Sequence, residues 1–371
     1  MDPPQSWTTN ANQAVSLVFH DAGKMGRGTD RVHPEFTYPI FGEEERIQGY
    51  DNPRVTVKYA KKQPGLEESK TIESQLLPLL GKDTIQEVEA FQKYLEEKEG
   101  AFVPPGQLMH TRRYTDEKGQ DRTVEYYKAT YKDKGFIEYF RRLRPFSLFF
   151  IEGASYPEEE DDRWEFILAF EVIQKDEEAE GKRWATLGYV NMYPFFRYPE
   201  SWRMRISQFL ILPQYQGFGH GSYLYDLAMS ELREHRKEIS EINVEDPNEA
   251  FADMRDKRDV AFLAKNQVIQ GLEAPLSREK VMKLKEQYKM NKRQLERCLE
   301  ILLLRPLRTT REERRMKPYR LSVKRRLYRH NRVLKDMEAE ERVEKLEETY
   351  QSVVEDYHRI LESVALEDEG N

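Results

Sequence analysis

Residues 208–233 constrain the fold more than any other part of the sequence, because they carry three patterns in a fixed order. An apolar run, Phe209–Leu212, ends at the breaker Pro213, and a glycine-rich hexapeptide occupies 216–221. Apolar residues then recur at helical spacing: Leu224, Leu227, Ala228 and Leu232. This order predicts a buried strand, a glycine turn and a helix. Glycines let backbone N–H groups approach a bulky anion, and a helix N-terminus adds a positive dipole, so the turn suits a diphosphate.

The residues around the last glycine discriminate among three families that hold phosphates with such a turn. A P-loop requires lysine and then serine or threonine, but Gly221 is followed by Ser222 and a tyrosine. A dinucleotide fingerprint would use Gly217 and Gly219, and Ser222 is a marginal third small residue. The pattern Gln-x-x-Gly-x-Gly, which begins at Gln216, fits without adjustment. It is the pyrophosphate loop of the GNAT acetyltransferases, which bind acetyl-CoA, although for the hexapeptide alone an ordinary glycine loop stays an alternative.

Three segments together resemble the catalytic subunit of the type B histone acetyltransferases. They are Ile206–Ile211 before the turn, Gly219–Ser222 within it and Val244–Phe251 downstream. A looser similarity extends to Phe41–Glu45 and Asp161–Trp164, so the resemblance covers most of residues 30–330. It implies a lysine acetyltransferase that acts on free, newly made histone four.

The predicted fold class is α/β (α+β), because antiparallel strands lead into a strand–turn–helix–strand unit. This order matches a GNAT acetyltransferase core. We expect an N-terminal α/β domain at 1–135, the acetyl-CoA-binding catalytic domain at 136–255, and a C-terminal helical domain at 256–371 with a long amphipathic tail helix.

The remaining elements follow from periodicity, caps and breakers. Strands are predicted at Val15–Phe19, Val55–Tyr59, Val124–Tyr126 with the residues that follow it, Trp164–Ile173, Arg183–Tyr193, Gln208–Leu212 and Ile239–Val244. Helices are predicted from Asp83 to Gly100, at Phe136–Leu148 with an interruption at Pro145, and from Phe251 onward, with Asn291 as an N-cap. A polar hairpin loop is expected at Gln174–Lys182.

The tail carries a heptad stripe of about three repeats. Its members are Val343, Leu346, Tyr350, Val353, Tyr357, Ile360 and Val364. Such a stripe is typical of a helix that packs on its own domain or of a helix that docks a partner.

Charge and composition exclude several classes. No apolar run approaches the roughly 20 residues of a membrane helix, and the N-terminus lacks a secretory signal. The single cysteine, Cys298, lies in an amphipathic helical pattern, which favours a packed residue in a reducing compartment. The seven histidines show no paired ligand spacing, so no metal site is expected.

The net charge of −7 is unevenly distributed. Residues 305–335 hold thirteen lysines and arginines against Glu312 and Glu313, a local +11 that leaves −18 elsewhere. The acidic remainder attracts basic substrates. The basic segment indicates a solvated helical face or a contact with an acidic partner, rather than direct nucleic-acid binding.

Acetyl transfer to lysine requires that the amine lose a proton. A free lysine has a pKa of about 10.4, so at pH 7 nearly all of it is protonated, and forming the neutral, nucleophilic amine costs roughly 4–5 kcal/mol. A general base can remove that proton. Glu245 follows the predicted strand Ile239–Val244, and ligands in such sheets lie beyond the carboxyl ends of strands. From position alone, solvated turn acids are the favoured interpretation of Glu245 and Asp246. The resemblance implies Glu245 as the base with Asp246 beside it, and Pro247 should keep Asp246 extended.

The resemblance also implies cofactor contacts on both sides of the turn. A backbone N–H in Phe209–Ile211 would stabilise charge on the thioester carbonyl, and this strand would pair with the pantetheine amide. The implied cofactor-binding residues are Phe209, Leu210, Ile211, Gln216, Gly217, Phe218, Gly219, His220, Gly221, Ser222, Asn248 and Lys257. Lys257 keeps a positive charge but lacks the guanidinium fork of some family members.

Substrate contacts are implied by similarity at two acidic runs and two aromatic segments. Acidic runs are usually solvated, but the matching family positions line a groove for the tail of histone four. The implied substrate-binding residues are Glu43, Glu44, Glu45, Trp164, Tyr193, Pro194 and Phe195. The family works with a WD40-repeat histone-chaperone subunit in the cytoplasm and nucleus, so we expect that partner and those compartments.

The sequence thus predicts direct acetyl transfer without an acyl-enzyme. Two alternatives stay open: a GNAT enzyme acting on another protein lysine or amine, and a non-catalytic histone-binding module. Lysine preference and oligomeric state do not follow from the sequence.

Overall fold

The computed structural model describes residues 8–17, 32–48, 50–51, 61–62, 72–80, 85, 90, 93, 102–174, 182–308 and 312–369. The chain divides into two compact units. The first unit, 1–194 with 206–224, contains the glycine turn, and the second unit, 195–205 with 225–371, contains Glu245. The three domains expected from the sequence stay a prediction.

Six of the strands form one sheet with the order β10-β9-β8-β7-β6-β5. The strands are β1 (Thr8–Asn10), β2 (Arg46–Gln48), β3 (Tyr50–Asp51), β4 (Lys61–Lys62), β5 (Gln107–Thr115), β6 (Asp121–Thr130), β7 (Glu165–Gln174), β8 (Lys182–Arg197), β9 (Ser201–Ile211) and β10 (Ile239–Val244). Neighbours from β5 to β8 pair antiparallel. The strands predicted in this region are confirmed. However, β9 begins at Ser201 rather than Gln208, and buried and half-buried residues alternate along most of this longer strand.

The helices of the described residues concentrate after the glycine turn. They are α1 (Ala11–Ala14), α2 (Tyr38–Phe41), α3 (Ile72–Leu80), α4 (Phe136–Leu143), α5 (Pro145–Phe150), α6 (His220–Ser230), α7 (Glu249–Lys265), α8 (Arg278–Tyr288), α9 (Lys292–Leu304), α10 (Glu313–His330), α11 (Val333–Asp336) and α12 (Ala339–Glu369). Short 3-10 turns occupy Pro213–Tyr215 and Arg305–Leu307, and a π-helical turn follows α6 at Glu231–His235.

Aromatic side chains form the core of the first unit. Phe136 and Phe140 of α4 are buried, and their ring centroids lie 4.6 and 4.7 Å from that of Phe166 on β7. The predicted interruption at Pro145 is confirmed, because proline lacks an N–H and here opens the new helix α5. This packing holds α4 against the strands that precede the glycine turn.

The N-terminal part of the first unit departs from one prediction. Asn10 caps the N-terminus of α1 and Val15 is its C-cap, and Leu17 makes only an isolated bridge with Val32. A strand from Val15 is therefore wrong; its last two predicted residues, 18 and 19, lie outside the described part. So do the predicted strand at 55–59, most of the helix at 83–100 and most of the loop at 174–182.

Helices form the core of the second unit. Asn291 caps α9 by accepting a hydrogen bond from the Arg293 N–H, as predicted for this residue as an N-cap. The heptad stripe of α12 packs on its own domain, because Tyr350, Tyr357, Ile360 and Val364 are buried in the helical cluster. Within the basic segment, Arg326 of α10 is paired with the buried Glu300 at 2.8 Å.

Candidate active site

The glycine turn in the first unit is exposed where α6 begins. After β9 and the turn Pro213–Tyr215, residues 216–219 are all solvent-exposed. Gly217 and Gly219 have φ angles of 84° and 76°, a region that side chains rarely adopt. A Cβ at Gly219 would meet nothing within 4 Å. The turn thus leaves open space at the N-terminal end of a helix, which is the geometry that binds an anion.

Hydrogen bonds hold the turn and the strand segment that precedes it in place. The Gln216 side chain donates to the Ile211 carbonyl oxygen at 2.8 Å, so its amide shapes the loop. The Leu212 N–H donates to the Leu187 carbonyl oxygen at 2.9 Å. Of the three residues of this strand that were implied in cofactor binding, Leu210 and Ile211 are buried and Phe209 is half-buried.

A polar and aromatic cluster supports the first turn of α6. Tyr223 and His110 of β5 share a hydrogen bond of 2.7 Å between the hydroxyl and Nε2. The Arg112 guanidinium lies 4.3 Å from the ring centroids of both Tyr114 and Tyr223. His110 and Tyr223 are 113 positions apart, so local sequence patterns did not reveal this cluster. It ties the glycine turn to the β5–β6 hairpin.

His220, the first residue of α6, is buried rather than open to a ligand. It is 2% exposed, and neither ring nitrogen has a hydrogen-bond partner among the described residues. Burial, reinforced by the Arg112 charge, lowers the pKa of His220 to about 4. The imidazole is therefore neutral at physiological pH, and any cofactor contact at this position falls to its backbone.

In the second unit, Glu245 directly follows β10 with 40% of its side chain exposed. Arg205 of β9 binds it, with 3.0 Å between Nη1 and Oε1. The neighbour Asp246 has a φ of 26°, so the expectation that Pro247 keeps Asp246 extended is wrong. Asp is among the residues that tolerate positive φ, and such outliers cluster at functional sites.

Sequence reasoning missed Arg205. Its guanidinium lies 4.3 Å from the ring centroid of Phe195, a residue implied in substrate binding. The available signal was the alternation along β9, in which Met204 and Ile206 are buried and Arg205 faces the half-exposed side. Because successive side chains of a strand point to opposite faces, this alternation places Arg205 on the face opposite Met204 and Ile206.

Two implied cofactor contacts of the second unit have local roles. Asn248 caps α7, because its side chain accepts a hydrogen bond from the Phe251 N–H. Lys257 is paired with Asp253 one turn earlier, at 2.7 Å. Their contacts with a cofactor stay predictions.

The acidic residues implied in substrate binding differ in their surroundings. Glu43 and Glu44 are exposed, whereas Glu45 turns inward. The Glu45 carboxylate accepts hydrogen bonds from the backbone of Thr37 and the side chain of Asn12, at 2.7 and 2.8 Å. The Thr37 bond is the main cause of a lowered pKa of Glu45. Glu45 therefore fixes the start of α2, which leaves Glu43 and Glu44 as the exposed acids of this run.

Trp164 and Tyr193 form one half-buried aromatic pair in the first unit, with ring centroids 4.8 Å apart. The Tyr193 hydroxyl donates to Asp161 at 2.7 Å, and Arg163 lies over the same ring. Hydrogen bonds, mainly from Arg163, hold the pKa of Asp161 well below its usual range. Pro194 is half-buried, and Phe195, in the second unit, is 38% exposed.

Among the described residues, no cluster of three or more His, Cys, Asp or Glu side chains could hold a metal ion. The helices in the described ranges are too short or too polar to cross a membrane. Cys298 is fully buried, and burial raises the pKa of its thiol well above the usual value.

Family comparisons agree with this geometry. Residues 125–254 match the acetyltransferase (GNAT) family, and residues 7–152 match the family described as histone acetyl transferase HAT1 N-terminus. The chain is thus a GNAT acetyltransferase with a mixed α/β fold, as predicted, and enzymes of this class use acetyl-CoA.

The relatives are more specific. Three curated proteins named histone acetyltransferase type B catalytic subunit are similar over nearly the whole chain. The Cryptococcus neoformans protein is 36% identical over 96% of this chain and 98% of its own length. The Mycosarcoma maydis protein is 34% identical over 95% and 87%, and the Kluyveromyces lactis protein 32% over 98% and 94%. The chain belongs to the family of histone acetyltransferase type B catalytic subunits.

Among solved structures, an aminoglycoside acetyltransferase from an uncultured soil metagenomic sample matches 42% of this chain and 92% of its own length. The identity is 13% and the TM-score 0.25, which is too low to support a structural conclusion.

Proposed function

We propose that the protein transfers the acetyl group of acetyl-CoA to lysine side chains in the N-terminal tail of free, newly synthesised histone four. The observation that carries the proposal is the exposed glycine turn at the start of α6, in a chain whose relatives are named histone acetyltransferase type B catalytic subunits. The turn supports acetyl-CoA, and the family supports a histone substrate.

The residues of the turn fit a diphosphate. The open space at Gly219 and the positive φ angles of two glycines would let backbone N–H groups of 217–221 bind the phosphates at the helix N-terminus. Acetyl-CoA supplies an acetyl group activated as a thioester. A backbone N–H of Phe209–Ile211 would stabilise negative charge that develops on the carbonyl oxygen.

Glu245 is proposed as the general base. Its exposed carboxylate would take a proton from the lysine ammonium, directly or through one water. The neutral amine would then attack the thioester carbonyl, and the carbon–sulfur bond would break to release CoA. The adjacent Asp246 would be the second carboxylate of the site. Direct attack is favoured over an acyl-enzyme because Cys298, the one thiol in the sequence, is fully buried and protonated.

Selection of a basic tail would rest on acidic and aromatic side chains. Glu43 and Glu44 are exposed and would attract the basic tail. The paired rings of Trp164 and Tyr193 would offer it apolar surface. The charge of −18 outside the basic segment would also steer a cationic tail toward the enzyme.

We also propose a WD40-repeat histone-chaperone subunit as the partner, and the cytoplasm and nucleus as the compartments. Family membership supports both. Co-purification of the tagged chain from its own cells, combined with fractionation, tests them; a chain that co-purifies without a WD40 protein would contradict the partner.

Radiolabelled acetyl transfer tests the substrate. The full chain is given labelled acetyl-CoA with each free core histone, with nucleosomes and with small polyamines. Label on free histone four, and much less on nucleosomes, is expected. Preferred labelling of another amine would indicate a different GNAT substrate, and tail binding without any transfer would indicate a non-catalytic histone-binding module.

A further inference from the structure

We propose that Arg205 is a positioning residue for the reaction, which holds the Glu245 carboxylate in the orientation needed to accept the lysine proton. This inference rests on the proposed role of Glu245. The structure supplies the contact, and neither the sequence motif nor the family resemblance assigned a role to Arg205.

Three residues of the second unit form a continuous arrangement. Phe195 packs under the Arg205 guanidinium, whose carbon lies 4.3 Å from the ring centroid. Nη1 of the same guanidinium lies 3.0 Å from Glu245 Oε1. Stacking restricts the plane of the guanidinium, and the planar fork then restricts the direction of the hydrogen bond. The bond to Oε1 in turn restricts the orientations that the Glu245 carboxylate can adopt.

Glu245 needs such a restraint because of where it lies. It follows the last residue of β10, 40% of its side chain is exposed, and the next residue has a positive φ. An exposed glutamate samples several rotamers, and each rotamer that points away from the substrate lowers the fraction of productive complexes. An arginine anchored on a ring removes that freedom.

Strand β9 also carries a second arginine–glutamate ion pair, which serves as a comparison for the pair of Arg205 and Glu245. Arg203 lies two positions earlier on the same face of β9, and its Nε is 3.2 Å from Oε1 of Glu241. Glu241 is 5% exposed and is also paired with Lys285, so this pair is structural. The two arginines have similar side-chain exposure, 40% and 34%, which makes Arg203 an internal control for Arg205.

The test compares Arg205→Met, Arg205→Lys and Arg203→Met in the full chain, each with and without Glu245→Gln. The kcat and KM are measured with acetyl-CoA and a histone four tail peptide, CoA affinity by calorimetry, and folding by thermal denaturation. Should Arg205→Met not fold, Arg205→Gln replaces it in the same series.

We expect Arg205→Met to lower kcat by about 10- to 100-fold at unchanged CoA affinity, because misplacement of a catalytic group acts on the chemical step. Arg205→Lys should restore part of the loss, since lysine keeps the charge without the fork. Arg203→Met should change kcat less than about 2-fold, and Arg205→Met should add nothing in the Glu245→Gln background.

The outcomes separate the two proposals. If Glu245→Gln reduces kcat while Arg205→Met behaves like Arg203→Met, the positioning role of Arg205 is wrong and the base stands. An equal loss from Arg205→Met with and without Glu245→Gln also overturns the positioning role. Wild-type kcat in Glu245→Gln overturns the base itself, and with it this inference.

Discussion

Gly188 of β8 lies directly against the carbonyl oxygen of Leu210 on β9 within the first unit. A Cβ at position 188 would be 2.1 Å from that oxygen and 2.9 Å from the Ile211 Cα. Both are backbone atoms, which cannot rotate away as a flexible side chain can. Glycine at 188 therefore permits a close strand approach at the segment expected to contact the cofactor.

Gly188→Ala should displace that strand segment. We expect a loss of about 1–3 kcal/mol in the free energy of unfolding, as in other overpacked sites, and weaker CoA binding. Thermal denaturation and calorimetry measure the two effects. Wild-type stability and CoA affinity in Gly188→Ala would show that the close approach of β8 and β9 at this position is not needed for folding or for CoA binding.

Gly219→Trp should abolish CoA binding, because an indole would fill the open space of the turn. The control is Gly119→Trp in the β5–β6 turn, where φ is 74° against 76° at Gly219 and the Cβ position is equally open. Both variants carry the same backbone strain, so only Gly219→Trp should lose affinity in calorimetry. Equal CoA affinity in the two folded variants would reject the turn as the phosphate site.

Local patterns in the sequence were sufficient for the elements around the turn. The β10 bounds Ile239–Val244, the break at Pro145 and the Asn291 cap all depend on neighbouring residues, and the structure confirms them. The GNAT fold was predicted from the hexapeptide at Gln216 together with the order of elements around it and the resemblance of the flanking segments, and the family match confirms it.

Contacts between distant residues could not be predicted in this way. The Arg112 cluster under α6 joins β5 to Tyr223, and periodicity carries no information on such pairs. The inward orientation of Glu45 depends on hydrogen bonds from Asn12 and Thr37. The acidic run therefore gave no indication that one of its carboxylates is structural. The positive φ of Asp246 shows that the surrounding structure overrides the local preference before proline.

His220 should make stability depend on pH. Its pKa is about 4 in the folded protein against 6.5 ordinarily, because burial disfavours the charged form. The neutral ring therefore contributes stability above pH 6.5, and this contribution is lost as pH falls toward 4. His220→Phe should remove this acid-dependent loss in the free energy of unfolding, which amounts to at most about 3 kcal/mol.

Denaturant unfolding without acetyl-CoA from pH 7 to pH 4 measures the difference between wild type and His220→Phe. His235 is exposed, so His235→Phe serves as the control and should follow the wild-type profile. A parallel pH dependence of wild type and His220→Phe would show that His220 is protonated without cost in the native state.

The tail helix should be a stability element of its own unit. Tyr357 is fully buried, and its hydroxyl donates to Glu300 at 2.8 Å, whereas Val343 of the same stripe is 66% exposed. Tyr357→Ala should cost about 3–5 kcal/mol in the free energy of unfolding, typical of a lost buried ring, and Val343→Ala less than about 0.5 kcal/mol. Denaturant unfolding that shows equal effects would contradict this packing.

Glu245→Gln tests the base most directly, because glutamine keeps the size and hydrogen bonding of the side chain but removes basicity. Loss of a general base typically costs 10²- to 10⁴-fold in rate, so kcat on the tail peptide should fall by about that factor. CoA affinity should hardly change. Raising the pH toward the lysine pKa of about 10.4 should partly restore turnover, since a larger fraction of the lysine is then deprotonated without a general base.

Asp246→Asn and the double variant, in single-turnover measurements, show whether the neighbouring carboxylate substitutes as a weaker base. Wild-type turnover by Glu245→Gln at neutral pH, with the chemical step rate-limiting, would remove Glu245 from the mechanism.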